Sequence, residues 1–526
     1  MLFPAYIGPG AGFAFLGSFL TLALSILAGF ASLLLWPFRF LRSLLRRRKG
    51  SVRRAIFLGF DGLDPGITER LMAEGQLPNF AKLQDTGSYR RLRTTFPALS
   101  PVAWSTFATG VNPGKHNIFD FLCRDLRTYV PELSSAKVTK RGAELRRRSE
   151  PFWKILGRYG VTSTILRVPI TFPPEEFNGR LLSAMCTPDL RGSQGTFSSF
   201  DSPEGLLEGP AGETIPFAVR DGALHIQEER VRLQKGEYTP WLHLRFPSAR
   251  GIARFLLVSE APAFSLYCTP VQIDPESPAM PISHPRWYAI YLAKLLGAFS
   301  TLGMAEDTWA LNEGAIDQAA FLEQARLIQE ERESMFFSAL DRSPRGVVAC
   351  VFDTTDRVQH MCFHQAEVIE PFYRDMDRIL GQTLRYVDPG TALFVLSDHG
   401  FRAFRRGVNL NAWFLREGYL TLKAGADGSG EYLGDIDWSR TRAYTFGLAG
   451  AYLNVRGREA QGIVSTEAAP ALIAEIAARL RGLMDEANGD TAIANVYPAS
   501  GLYQGPYTPA APDLIIGYAD GYRASW

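Results

Sequence analysis

Three short apolar runs of this chain each stop at an acidic residue, and two of the three bring a histidine close behind. Ala55 to Phe60 (AIFLGF) ends at Asp61. Gly346 to Phe352 (GVVACVF) ends at Asp353, with Asp356 and His360 just beyond, and Ala392 to Leu396 (ALFVL) runs into Ser397-Asp398-His399-Gly400. Apolar runs without polar alternation read as strands buried on both faces, the habit of parallel sheets. In open α/β sheets ligands bind beyond the carboxyl ends of the strands, so the three clusters are expected to converge in one crevice. Carboxylates alone suit magnesium or calcium, whereas imidazole mixed with carboxylate favours zinc, manganese or iron. Asp356 and His360 are four apart, so on a helix both project from one face. Any one of these aspartates reads equally well as a turn residue or a helix cap. Three clusters at three strand ends are much harder to explain that way.

A hydroxyl stands in the segment Thr94 to Asp120 (TTFPALSPVAWSTFATGVNPGKHNIFD). Ser100 follows a loop and precedes Pro101, and the chain then reads as helical through Trp104 to Thr109. One reading is a plain helix N-cap. The other is a nucleophile activated by a metal at neutral pH, with the helix N-terminus offering N–H groups to a phosphate oxygen. Lys115 and Asn117 are candidates for binding phosphate oxygens, a solvated loop being the plainer reading of Lys115.

These residues need a scaffold, and strands alternating with helices supply one. A further run, Val161 to Ile170, follows the amphipathic Phe152 to Tyr159, and a fifth, Asp513 to Gly517, lies near the end. The expected fold is α/β: a mostly parallel central sheet flanked by helices, with a small mainly β insertion and one N-terminal transmembrane helix. The boundaries expected are an anchor at 1–38, a basic linker at 39–54, the α/β domain at 55–194 and 278–526, and the β insertion at 195–277. The insertion is read from short alternating stretches such as Ala223 to Gln227, Trp241 to Phe246 and Ala253 to Val258. Phe321, Ala325, Ile328 and Met335 form a helical stripe read as core.

Length bounds the rest: 526 residues is too long for one small domain, and 46% hydrophobic with 21% charged is globular. Lys and Arg number 56 against 54 Asp and Glu, so overall charge carries no nucleic-acid signature. Five scattered cysteines without a C-x-x-C pair argue against a disulfide framework and a thiolate zinc site. Met1 to Phe38 has no charged side chain, and Phe13 to Trp36 is long enough to cross a bilayer. Eight basic residues from Arg39 to Arg54 follow it, which is the wrong order for a cleaved signal peptide. The alternatives are a buried core helix there, or a basic stretch from Phe38 to Leu45 on anionic lipid. The expectation is a single-pass membrane protein, the bilayer its partner, with the catalytic domain on the cytoplasmic side.

Taken together, Asp61, the segment from Ser100 to Gly110, Asp356-x-x-x-His360 and Ser397-Asp398-His399-Gly400 resemble the alkaline phosphatase superfamily. Within it the chain is similar to the type I phosphodiesterase/nucleotide pyrophosphatase family, from about Ala55 to His399 and more weakly from Asn409 onward. That family's nucleophile lies ten residues before the glycine of a Thr-Gly pair, which is Ser100 counted back from Thr109-Gly110. A Pro-x-x-His follows, here Pro113 to His116. The resemblance implies two divalent metal ions, zinc first and manganese next. Asp61, Asp398, His399 and the Ser100 oxygen would hold one; Asp356, His360 and a later histidine would hold the other. No histidine follows His399 in this chain. His364 is the nearby substitute, and the chain is expected to be C-terminally shortened relative to its relatives. The implied reaction is attack by Ser100 on phosphorus, a covalent phospho-serine, then hydrolysis of a phosphodiester or pyrophosphate bond in a nucleotide or lipid-linked substrate. The alternatives are a phospho-headgroup transferase and a non-catalytic, membrane-tethered binding module.

Overall fold

Strand β1, Arg54–Phe60, is buried on both faces, and each face has its own core. Ile56, Leu58 and Phe60 enter one core; Phe57 packs in the other, where Trp104 and Val351 crowd Gly59. This two-sided burial removes the polar alternation from the sequence of the run. In the computed structural model, which describes residues 52–139 and 142–525 together with Leu27, residues from Arg54 onward form one compact unit.

The central sheet has six strands. After β1 come β2 (Ser163–Leu166), β3 (Gly179–Leu182), β4 (Ser283–His284), β5 (Gly346–Phe352) and β6 (Thr391–Leu396), in the spatial order β4-β3-β2-β5-β1-β6. β3, β2, β5, β1 and β6 run parallel. The two-residue β4 closes one edge antiparallel to β3. Register brings the carboxyl ends level, with Phe60 opposite Phe352 and Gly59 opposite Leu396. The residues that follow β1, β5 and β6 therefore open onto one end of the sheet.

Helices α1 (Ser100–Thr109), α2 (Gln318–Arg342), α3 (Thr354–Cys362) and α4 (Ala366–Leu384) carry or brace the site. Trp104 and Ala108 of α1 cover one face of the sheet; Met335 and Phe336 of α2, with Met376 and Ile379 of α4, cover the other. The stripe Phe321, Ala325, Ile328 and Met335 is buried throughout. Between Ser198 and Ile273 the chain forms antiparallel sheets, whose residues Leu207, Phe217 and Leu244 join the same core as Ile56 and Leu58.

One expectation is corrected. The central sheet is parallel except for its edge strand β4, and the run at Asp513 to Gly517 is not part of it. Leu514–Tyr518 pairs antiparallel with Gly450–Leu453 and Ile493–Pro498 in a separate four-stranded sheet. Its Leu514 and Ile516 bury against Trp413, Phe414 and Leu453, in a second core. An apolar run signals burial without naming the neighbour.

The single-pass placement with a cytoplasmic catalytic domain is also corrected. A helical span requires about 20 consecutive apolar residues, and among the described residues no helix is long and apolar enough to cross a membrane. The stretch Phe13 to Trp36, apart from Leu27, lies outside the described residues, as does the basic linker before Val52.

Gly59 shows how tightly the sheet holds α1. A Cβ at this position would lie 2.6 Å from Trp104 Cη2 and 3.0 Å from Val351 Cγ2. Gly59→Ala should destabilise the fold by about 1–3 kcal/mol, the usual cost of overpacking, read as a lower urea midpoint with an unchanged slope. An undiminished midpoint would show that Trp104 yields without cost.

Candidate active site

Ser100 opens α1 without capping it. Leu99 is the N-cap residue, no side chain caps the helix, and Pro101 supplies a pre-set φ in the first turn. The Ser100 hydroxyl is thus free of the helix and lies 3.2 Å from Asp61 Oδ1 and 3.0 Å from His399 Nε2. Asp61 is fixed from both sides. Trp104 Nε1 donates to its Oδ2 at 2.8 Å, and Thr355 Oγ1 donates to its carbonyl at 2.6 Å. Asp398 accepts from the Gly62 N–H on Oδ1 at 3.1 Å, and its buried Oδ2 has no hydrogen-bond donor.

The tautomer of His399 follows from its partner. Nδ1 sits 2.8 Å from the Gly400 carbonyl, which can only accept, so Nδ1 carries the proton and Nε2 points its lone pair at Ser100 and the carboxylates. Asp61, Asp398 and His399 each present one ligand atom, and these atoms lie within 4.8 Å of one another. Burial, with Asp398 and Asp356 nearby, holds the Asp61 carboxyl well above the ordinary carboxylate range. Burial raises Asp398 too, against the pull of His399. Burial alone would lower the His399 imidazole, but Asp398 and Asp356 leave it above its ordinary value. Crowded, buried like charges beside an orphaned oxygen and an imidazole lone pair are a donor set suited to a borderline divalent cation.

Asp356 and His360 meet on one face of α3, with His360 Nε2 3.4 Å from Asp356 Oδ2. The buried Asp356 Oδ1 has no partner. Burial would raise this carboxyl, yet His360, Arg357 and His399 hold it below the usual range. Among the described residues no third His, Cys, Asp or Glu completes a ligand group with this pair. His364 and Asp520 border the same cavity, and Asp520 was not singled out from sequence because nothing in its local pattern signals chemistry. Asp353, the first acidic residue after β5, instead pairs with Arg332.

The cavity holds about 520 Å³ and is bordered by Ser100, Asp356, Arg357, His360 and His399, together with Phe121, Phe363 and Phe401. Lys115 and Asn117 do not border it. Lys115 is exposed, and Asn117, at φ 66°, ends the one-turn helix Pro113–His116. The histidine of that turn is structural. Ile118 N donates to His116 Nδ1, so Nε2 carries the proton and meets Thr106 Oγ1 at 3.0 Å, bracing α1. Burial and then Arg147 push this imidazole down to about 3, so it stays neutral.

The sequence identifies the class. A model of the family "Type I phosphodiesterase / nucleotide pyrophosphatase" matches residues 55–229 and 279–525. The chain belongs to that family and is a phosphodiesterase/nucleotide pyrophosphatase-like hydrolase. No curated protein sequence matches the chain. Among solved structures it is similar to phosphonoacetate hydrolase from Sinorhizobium meliloti 1021 in complex with phosphonoacetate, at TM-score 0.46 and 14% identity over 91% of this chain and 84% of that one. The same hydrolase in complex with phosphonoformate gives 0.44 and 13%, over 90% and 82%.

Arg357 also faces a buried ionic cluster that sequence did not disclose. Arg167, directly after β2, donates to the carbonyls of Ser183 at 2.8 Å and Leu302 at 2.6 Å. Glu306 is 3% exposed, and neither carboxylate oxygen has a hydrogen-bond partner. Burial and then Asp353 push it up to about 7, against Arg332 and Arg357. A raised native value means that the folded state binds the extra proton. The associated stability is full below the ordinary value of 4.5 and is lost as pH rises through about 7. Glu306→Gln should remove that loss, so its urea stability should gain on the parent between pH 5 and pH 8. A stability difference that stays constant with pH would contradict this.

Proposed function

We propose that the chain hydrolyses phosphodiester or pyrophosphate bonds in a metal-dependent reaction with Ser100 as the nucleophile. One observation carries the reading: the Ser100 hydroxyl, at the start of α1 and on the cavity, contacts both Asp61 and His399. Asp61, Asp398, His399 and the Ser100 oxygen would hold one divalent ion, and Asp356 with His360 would begin a second site, zinc preferred and manganese next. Such ions supply Lewis acidity that lowers the hydroxyl pKa and offsets charge on the phosphoryl oxygens.

The protein's own share is placement. Trp104 fixes Asp61, Gly400 orients His399, and Pro101 starts the helix that aims Ser100. The bond from Ser100 Oγ to phosphorus forms as the bond to the leaving oxygen breaks, and the hydroxyl proton passes to a neighbouring base or solvent. Water then cleaves the Ser–phosphoryl ester and regenerates the hydroxyl. A transferase would differ only in the acceptor for that second step.

Ser100→Ala should lower hydrolysis of bis-p-nitrophenyl phosphate by about three orders of magnitude or more and abolish covalent labelling, with folding unchanged. Ser105→Ala, whose hydroxyl donates to the Pro101 carbonyl at 2.6 Å, should do far less. Near-normal turnover in Ser100→Ala would sink the assignment. Zinc titration of metal-free protein by calorimetry should show one tight and one weaker site, because three protein ligands are the norm for catalytic zinc. Two equally tight sites would mean that another group, such as His364 or Asp520, completes the second.

A further inference from the structure

A second cavity, of about 350 Å³, lies beside β6. Ser100, Asp61 and Asp356 do not border it, although Asp398, His399 and Gly400 do. Its apolar lining continues the core of Ile56 and Leu58: Leu63 and Phe80 belong to that core, and Leu83 and Val395 pack against it. β6 is the end strand of the central sheet, and none of its residues is fully buried, unlike most of β1 and β5. Its unbroken apolar run suits burial on both faces. This edge of the core therefore offers more apolar surface than the described residues cover.

The rest of the lining comes mainly from residues 88–94, and its charge is positive. This segment has no helix or strand, and among the described residues no backbone–backbone hydrogen bond holds it. Side chains anchor it instead. Arg91 Nε and the Tyr89 hydroxyl donate to Glu69, at 2.8 and 3.2 Å, and the Thr94 hydroxyl donates to the Asp398 carbonyl at 2.6 Å. Arg90 donates to the Tyr89 carbonyl at 2.7 Å, and no carboxylate among the described residues pairs with it. The acidic residue on the lining, Asp398, has its Oδ1 on the Gly62 N–H. The volume falls within the range of about 300–1,000 Å³ usual for small-molecule sites. Its complement is a hydrocarbon body with one anionic head: the body gains by leaving water, and a guanidinium pairs with two oxyanion oxygens at once.

We propose that this cavity binds a single-chain anionic amphiphile, its chain against Leu63, Phe80, Leu83 and Val395 and its head on Arg90, and that binding is coupled through Thr94 to Asp398 and His399. The coupling, unlike the binding, rests on the metal-dependent reading above. The bound chain and Thr94 hold the 397–400 segment from the same side, which favours the arrangement that presents the Asp398 and His399 ligand atoms together. Amphiphile and metal then strengthen each other by the same factor.

The test uses the full chain and decanesulfonate below its micelle concentration, with decanol as the chain alone and methanesulfonate as the head alone. Calorimetry should give one decanesulfonate site per chain, decanol binding at least tenfold more weakly, and no methanesulfonate binding. Leu83→Trp, which fills the cavity, should weaken decanesulfonate tenfold or more. Arg90→Ala, at an exposed position, should fold even where the tryptophan variant does not. It should bring decanesulfonate down to the level of decanol and leave decanol unmoved. Unchanged decanesulfonate affinity in either folded variant, or equal affinity for decanol and decanesulfonate in the parent, overturns the proposed site. Saturating zinc should tighten decanesulfonate threefold or more, and decanesulfonate should tighten zinc equally. Thr94→Val should bind each ligand alone as the parent does and lose this mutual effect. Zinc binding that is normal but indifferent to decanesulfonate overturns the coupling, and coupling undiminished in Thr94→Val overturns its route. A chain that binds no zinc at all overturns the metal-dependent reading and the coupling with it, but not the decanesulfonate site.

Discussion

Asp61, Asp356 and Asp398 are all buried at one end of a parallel sheet, close enough that their charges oppose one another. Negative groups do not gather out of water unless something holds them there. Here the holding is done by backbone. The ladder of β1 with β5 and β6 sets the three strand ends level, and the Gly62 and Leu63 N–H groups then tie the loop after β1 to Asp398 and Ser397. A glycine is needed at 62. The position has φ +65°, and a Cβ there would lie 3.0 Å from Asp356 Oδ1.

The surrounding polar groups extend this restraint outward. Gln359 donates to the Gly62 carbonyl at 2.8 Å and accepts from the Tyr373 hydroxyl at 2.8 Å, and that hydroxyl in turn accepts from the Asp64 N–H at 3.0 Å. Thus α3 and α4 are linked to the loop after β1 through hydrogen bonds as well as apolar packing. Arg332 pairs with Asp353, Arg167 donates to two backbone carbonyls, and Arg357 borders the cavity. A fully satisfied buried network rigidifies its surroundings.

What the sequence disclosed, and what it did not, divides along physical lines. Strands β1, β5 and β6 were legible because burial on both faces leaves an unbroken apolar run, and the acidic clusters stood out because each interrupts such a run. By residue type alone Ser100 reads equally as cap or nucleophile, since both put a hydroxyl at a helix start; the family resemblance points to the nucleophile, and the position of Leu99 as the cap separates Ser100 from the helix end. The apolar run at 513–517 reads like a strand of the central sheet yet lies in another, because hydrophobicity encodes depth and not partnership. Lys115 and Asn117 lie beside the motif in the chain, at the turn Pro113–His116, yet neither borders the cavity. Arg357, Glu306 and the Trp104 hydrogen bond to Asp61 were invisible, since each depends on contacts between segments far apart in the chain.

The strand order bears on how the chain is made. Both neighbours of β1 in the sheet, β5 and β6, come from the second half of the sequence. On a ribosome adding about 5–20 residues per second, β1 would emerge roughly 15–60 s before residues 346–352 are synthesised. Throughout that interval Ile56, Leu58 and Phe60 have no ladder partner, while β2 and β3 can already pair with each other. The nascent protein therefore carries a central strand of its sheet without either neighbour for about half of its synthesis, and the residues around Ser100 become a site only once Asp398 and His399 have been made, about three quarters of the way along the chain.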